Sequence, residues 1–429
     1  PAIRSGLLIG DQILKINNIE LKGKKAYEIS NLLKSQINSQ ITLAVKRMDR
    51  SEVFEISLVT EKIVIKNVSY AGLIDGNIGY IKLTDFTTNA GEEVGEALRE
   101  LVQQGTSKLI LDLRGNPGGL LIEAINVANI FIPKGAEIVS TKGKLEEWTK
   151  VYSTKNQAIN VKIPLVVLTD QRSASASEIV AGVIQDYDRG VLVGRKTYGK
   201  GLVQQTRPLA YNAQLKVTTA KYYIPSGRCI QAIDYSTEST AKIADSLKTT
   251  FRTLNGRAVL DGGGIDPDIL IDPPELSTVC YLLMQKNLIF NYATKYYFEH
   301  DTLYSPRNFQ LSETEFQQFL VWLEDQSFDY QTPLEIKLDQ ALEIAKTAAR
   351  GEQVYQSIKE LNTLLQAEKK NDLDRHEEEI KRLLEQDIVS RYYFREGIIE
   401  ASFDSDPDIL KAIEILEDVE SYNGILKPN

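Results

Sequence analysis

Lys108-Leu109-Ile110-Leu111-Asp112-Leu113-Arg114-Gly115-Asn116-Pro117-Gly118-Gly119 reads as an apolar strand running straight into a turn, and Leu120 to Ile130 after it reads as a helix. The same alternation recurs on both sides. Gly79 to Leu83 is a strand, and Glu92 to Val102 spaces Val94, Leu98, Leu101 and Val102 along one helical face. Ile163 to Leu168 is a second buried strand, followed by a helix from about Ala176 to Asp186. Val191 to Val193, the stretch around Val203 to Arg207 and Gln214 to Ile224 are expected to complete a mixed sheet. Strands that lead into helices in this order predict a layered, mixed α/β core.

Outside this core the pattern changes twice. Residues 1 to about 60 read strand, turn, helix, strand, with Asn17-Asn18 as the turn dipeptide and Ala26 to Leu33 as the amphipathic stretch. The run Ser5-Gly6-Leu7-Leu8-Ile9-Gly10-Asp11-Gln12-Ile13-Leu14-Lys15-Ile16-Asn17-Asn18 resembles the later two-thirds of a PDZ domain, a module that captures peptide C-termini. The loop and edge strand that such a domain uses come earlier than this match. Beyond about residue 275 the strand signals fade, and Pro333 to Arg350, Gln353 to Lys369, Asp374 to Tyr393 and Pro407 to Tyr422 read as helices, with Pro333 and Pro407 at first-turn positions. The expected organisation is a partial PDZ-like domain at 1–62, a core at 63–275 with a helical insertion at about 232–261, and a helical C-terminal domain at 276–429.

The 429 residues exceed the usual single-core size, so several domains are expected. A net charge of −9 offers no footprint for nucleic acid. Cys229 and Cys280, the only cysteines, lie 51 positions apart without C-x-x-C spacing or neighbouring histidines, so they read as free thiols and not as zinc ligands. The chain shows no run of about 18 apolar residues and no basic-then-apolar leader after Pro1, which predicts a soluble chain and leaves a preceding signal or anchor open. Both histidines, His300 and His376, fall in the last third, away from the α/β core.

Chemistry concentrates in three segments. Arg172-Ser173-Ala174-Ser175-Ala176-Ser177-Glu178 follows a buried strand, where α/β proteins place their sites. Its plain reading is a helix cap, because Ser175 and Glu178 make an S-x-x-E capping box. A serine at a helix N-terminus also sits beside backbone N–H groups that stabilise an oxyanion, so capping and nucleophilic attack are compatible. Twenty-five positions later, Lys200 lies between Gly199 and Gly201 and leads into an apolar strand. By itself it is a lysine in a glycine turn. Held close to another element it is expected to be partly desolvated, which favours a neutral amine able to act as a base. The third segment, Asp112 to Gly119, is turn chemistry whose glycines also let an N–H point at a substrate carbonyl.

Together Ser-Ala-Ser-Ala-Ser-Glu-Ile and Tyr-Gly-Lys-Gly-Leu-Val-Gln, at this interval, resemble the signature of the carboxyl-terminal processing peptidases, also called tail-specific proteases. The resemblance spans roughly residues 1 to 275, including Ile224-Pro225-Ser226-Gly227-Arg228 and Gly264-Ile265-Asp266-Pro267-Asp268. It implies a ClpP/crotonase-like core in which Ser175 is the nucleophile, Lys200 the base and Gln204 the residue that holds the amine. The oxyanion donors it implies are the backbone of Ala176 and of Gly118 or Gly119. It further implies a serine endopeptidase acting on proteins with flexible C-terminal regions, without metal or organic cofactor, in the periplasm or another extracytoplasmic space of a bacterium. A dimer through the helical C-terminal domain fits the same picture. The rival expectations are an inactive PDZ-containing scaffold and a crotonase-like acyl-CoA enzyme; intact Ser175, Lys200 and Gln204 speak against the first, and nothing here asks for a CoA pocket.

Overall fold

In the computed structural model, which describes residues 1–233, 246, 248–273, 275–326, 328–347, 352–369 and 371–427, the first sixty residues form a four-stranded antiparallel sheet. Its strands are β1 (Gln12–Ile16), β2 (Ile19–Glu20), β3 (Gln40–Lys46) and β4 (Phe54–Val59), in the order β2-β1-β3-β4, with helix α1 (Ala26–Leu33) between β2 and β3. Asn17 and Asn18 both take positive φ (47° and 66°), the backbone of a tight two-residue hairpin turn. Alternation along β3 buries Ile41, Leu43 and Val45 together with Ile16 and Ile56. The strand, turn, helix, strand order expected from the sequence is present.

The α/β core begins with β5 (Val68–Asp75) and β6 (Ile78–Leu83), then α2 (Ala90–Gln103), β7 (Lys108–Asp112), α3 (Leu121–Phe131), β8 (Glu137–Gly143), β9 (Lys150–Ser153), β10 (Leu165–Thr169), α4 (Ala176–Asp186) and β11 (Val191–Gly194). It closes with β12 (Leu202–Pro208), β13 (Gln214–Tyr223), β14 (Thr250–Arg252), β15 (Ala258–Leu260) and β16 (Ile269–Leu270). The main sheet runs β16-β11-β10-β7-β6-β5 and is parallel except for the antiparallel edge strand β5. Leu109, Leu111, Leu165, Val167 and Leu192 pack in one cluster with Val94 and Leu98 of α2, Val127 and Phe131 of α3, and Val180 and Ile184 of α4. The strands around residues 203–207 and 214–224 do not join this sheet. They form a second, antiparallel sheet, β12-β13-β8-β9, because β13 pairs with β8 and the turn at 209–213 folds β13 back along β12.

Helices follow: α5 (Thr278–Gln285), α6 (Leu288–Glu299), α7 (Glu313–Asp325), α8 (Pro333–Thr347), α9 (Glu352–Lys369), α10 (Asp372–Arg375) and α11 (Glu377–Ser402). Pro333 opens α8, as a residue without an N–H can. Val279, Leu283, Tyr292, Phe316, Phe319, Leu384 and Ile388 form the core of this region. Inside α11 the backbone leaves helical geometry at Phe394 (φ 55°, ψ −144°), next to the expected helix end at Tyr393.

The chain divides into two compact units: Pro1–Val64 with the helices up to Ser402, and Ile65–Pro273 with the segment from Phe403 onward. The expected 276–429 domain is therefore too long. The tail leaves it and supplies α12 (Pro407–Glu417) and α13 (Val419–Leu426) to the α/β core. The reason lies in the main sheet, whose Ile110, Val166, Leu168, Val191 and Val193 are also buried, although their side chains alternate with those facing α2, α3 and α4. A parallel sheet needs cover on both faces. Helix α12 packs on β10 and β11 and α13 on β11, and Phe403 joins Tyr70 and Tyr80 in an edge-to-face cluster. The helical insertion expected at about 232–261 is a second correction: residues 250–260 form the β14–β15 hairpin, since Thr250, Phe251 and Arg252 pair across to Leu260, Val259 and Ala258. Residues 234–245 and 247 of that stretch lie outside the described residues.

Candidate active site

Strands β7, β10 and β11 are parallel neighbours, so the loops leaving their carboxyl ends converge. These are the three segments singled out in the sequence: 113–120, 170–175 and 195–201.

The first two loops are laced together. Asp170 accepts from the N–H of Gly115 (2.9 Å) and of Ser173 (3.0 Å). Ser173 Oγ donates to the Leu113 carbonyl (2.8 Å), and the Asn116 carbonyl accepts from Ala174 N (3.0 Å) and Ser177 Oγ (3.0 Å). Burial alone would raise the Asp170 carboxyl, but the N–H groups of Gly115 and Arg172 and the Arg172 guanidinium outweigh it and hold it below the usual range.

Ser175 stands at the head of α4 with φ 57° and ψ −110°, a conformation costly for a residue with a Cβ. Glu178 secures it. This buried carboxylate accepts from Ser175 N (2.8 Å) and Lys200 N (2.8 Å) at Oε2, and from Thr197 Oγ1 (2.6 Å) and Gly199 N (2.6 Å) at Oε1. One side chain thereby fixes the serine loop to the lysine loop. Burial pushes its carboxyl above the usual range, against the pull of the Thr197 hydroxyl and of the three backbone donors. The sequence identified Glu178 as a capping residue; its second oxygen's work on a loop some twenty positions away carries no local signal.

The glycines lie where expected, and the geometry separates them. A Cβ on Gly118 would fall 2.5 Å from Ala174 O and 2.8 Å from both Ala176 N and Ser175 Cβ, so the loop touches the serine backbone at a point only glycine tolerates. The Gly118 N–H is engaged by Asn116 Oδ1 (2.8 Å). The Gly119 N–H has no partner among the described residues, because its bridge to Phe86 uses the Gly118 carbonyl and the Leu120 N–H.

Lys200 and Gln204 are placed differently. The Lys200 backbone is anchored on both sides, its N–H by Glu178 and its carbonyl by the Tyr222 hydroxyl, but the side chain is exposed and makes no bond to Ser175 or Gln204 among the described residues. The expected desolvation of the amine is thus absent from this arrangement. Gly199 and Gly201 pack against Ala232 and Gln231, which pins the main chain and leaves the side chain to solvent. Gln204 is likewise exposed, on the edge strand β12. Tyr222, which the sequence reading passed over as a strand residue, is buried beside this junction. Burial pushes its hydroxyl well above the usual range, the Glu178 charge adding to the effect and the neighbouring Ser175 hydroxyl opposing it. Both histidines belong to the other unit.

Residues 77–239 match the model of "Peptidase family S41", and residues 279–416 match that of "Probable PDZ-protease, C-terminal helical domain". A carboxy-terminal-processing protease of Bartonella bacilliformis is 39% identical over 237 residues, 54% of this chain and 54% of that protein. A CtpA-like serine protease of Staphylococcus aureus is 34% identical over 282 residues, 65% of this chain and 49% of its own length. The chain thus spans about half the length of the curated relatives it matches. Among solved structures, the photosystem II D1 C-terminal processing protease overlays with a TM-score of 0.37 at 29% identity, covering 65% of this chain and 67% of that one. Residues 77–239 are thus similar to the core of peptidase family S41, residues 279–416 are similar to the helical domain of PDZ-proteases, and the bacterial relatives matched over the core are named as processing or serine proteases.

Proposed function

We propose that the chain is a serine endopeptidase of the carboxyl-terminal processing type, with Ser175 as nucleophile and Lys200 as base. The observation that carries this reading is the convergence at Glu178, whose single carboxylate holds the backbone N–H groups of Ser175 and Lys200 2.8 Å from the same oxygen. The Lys200 side chain has to turn from solvent onto the serine hydroxyl, with Gln204 holding the amine there. The neutral amine then takes the proton of Ser175 Oγ as Oγ bonds to the peptide carbonyl carbon. The carbonyl electron pair moves onto oxygen, where the N–H groups of Ala176 and Gly119 meet it. Gly119 is preferred over Gly118 because Asn116 already occupies the Gly118 donor. Collapse of the tetrahedral species breaks the C–N bond, and the lysine ammonium returns its proton to the leaving amine. Water activated by the same lysine releases the acyl group.

Substrates in this reading are polypeptides with flexible C-terminal regions, guided by the PDZ-like residues 1–62, in an extracytoplasmic compartment. No described helix is long and apolar enough to cross a membrane. The test is cleavage of an unstructured polypeptide by the wild type and by Ser175→Ala, Lys200→Ala and Gln204→Ala. The first two variants are expected to lose about a thousandfold or more in kcat and the third less, with the fold retained. A serine-reactive probe is expected to label Ser175. Full activity in either of the first two variants ends the mechanism, and an inert wild type would favour the scaffold alternative.

A further inference from the structure

We propose that Asp406 and Asp408 of the C-terminal tail are positioning residues for catalysis, holding the oxyanion loop and the lysine loop in register through Arg114 and Arg195. The role in catalysis rests on the peptidase reading above; the coupling of the two loops does not.

Arg114 opens the oxyanion loop. Its Nη1 donates to Asp406 (2.9 and 2.8 Å) and to Asp408 Oδ2 (2.8 Å), while Nε and Nη2 grip Asp112 at the end of β7 (3.1 and 2.7 Å). Arg195 opens the lysine loop, and its Nη2 reaches the same Asp408 Oδ2 (3.1 Å). Asp408 is 1% exposed, so one buried carboxylate joins the roots of both loops. Lys82 completes the set, pairing with Asp112 (2.9 Å) and donating to the Arg114 carbonyl (2.8 Å). Asp112, Asp406 and Asp408 thus face Arg114, Arg195 and Lys82, three negative charges against three positive.

A tail that served only to cover the sheet would have no use for this cluster. Ile409, Ala412 and Leu416 on α12 already provide apolar cover. Buried ion pairs add little net stability compared with apolar packing, but their directional bonds select one arrangement. Removing one acid leaves two arginines with an uncompensated positive charge between the loops that carry Gly119 and Lys200. A displacement of about 1 Å there is enough to cost on the order of a hundredfold in rate.

The experiment uses the full chain with Asp408→Asn. Cleavage of an unstructured polypeptide is expected to show kcat reduced on the order of tenfold to a hundredfold with KM nearly unchanged. Amide hydrogen exchange is expected to accelerate in both 114–119 and 195–201, while β10 and α4 keep wild-type protection. Should Asp408→Asn lose cooperative unfolding, Arg195→Gln, which leaves the Arg114 bonds to Asp406 and Asp408 in place, is expected to accelerate exchange in 195–201 alone. Lys411→Ala, on the outer side of α12, is expected to match the wild type. Wild-type exchange in both loops, or unchanged kcat in Asp408→Asn beside an inactive Ser175→Ala, overturns the inference alone. An active Ser175→Ala overturns the peptidase reading, and with it the catalytic role, while the exchange data still judge the coupling.

Discussion

At the residue scale, the site depends on side chains and glycines that permit close backbone contact. Ser175 holds positive φ because Glu178 takes its N–H and α4 begins immediately after it. Gly118 lies against that same backbone with φ 94°, where any Cβ is blocked by two main-chain atoms, Ala174 O and Ala176 N, and by the Ser175 Cβ. Gly118→Ala is therefore expected to displace Ser175 and cost about a hundredfold or more in kcat, since an oxyanion donor loses its aim together with the nucleophile. Steady-state cleavage by a variant with intact circular dichroism checks this, and wild-type kcat would refute it.

At the element scale, the tail helix α12 does two jobs. Its first turn carries Pro407 and the capping Asp406, whose carboxylate accepts from Asp408 N and Ile409 N (2.9 and 3.2 Å) while also binding Arg114. Its apolar side closes the second face of the main sheet. Ile409 is fully buried there, so Ile409→Ala is expected to destabilise the α/β unit by about 2–5 kcal/mol. A urea titration reporting on Trp148, the only tryptophan of that unit, measures it. A change below about 0.5 kcal/mol would mean that the tail is not part of the core fold.

At the scale of the whole molecule, the buried carboxylates of the α/β unit set its response to acid. Asp170 and Asp112 both sit below the usual carboxylate range. Burial pushes each up, but backbone donors and Arg172 outweigh it at Asp170, and Arg114 and Lys82 outweigh it at Asp112. A depressed folded-state pKa contributes stability that is present above the unfolded value, about 4, and is lost as pH falls through the folded value. The unfolding free energy is thus expected to fall as pH drops below about 4, and Asp170→Asn is expected to be less stable at neutral pH with a shallower acid slope. Denaturant titrations at several acidic pH values check the sign; an unchanged slope in the variant would contradict it.

Local pattern carried much of this. Most strand and helix positions between Gly79 and Val193 (β8 and β9 excepted), the Asn17-Asn18 turn, and the serine and lysine motifs are visible because periodicity and turn chemistry act over a few residues. What the pattern could not carry were pairings between distant segments. Glu178 reads as a cap, and only the folded chain directs its carboxylate to Thr197, Gly199 and Lys200. The proposed preference for Gly119 over Gly118 turns on one bond, from the Gly118 N–H to Asn116 Oδ1. Residues 203–224 look like strands of any sheet, and the β8 pairing alone decides which one. The tail reads as one more helix of a helical domain, yet the uncovered face of the parallel sheet and Arg114 draw it to the core. By itself, then, the sequence determined the chemical parts and their local frames. Tertiary structure decided their assembly, because burial and buried charge are satisfied by whatever partner the fold brings near, however far away in the chain.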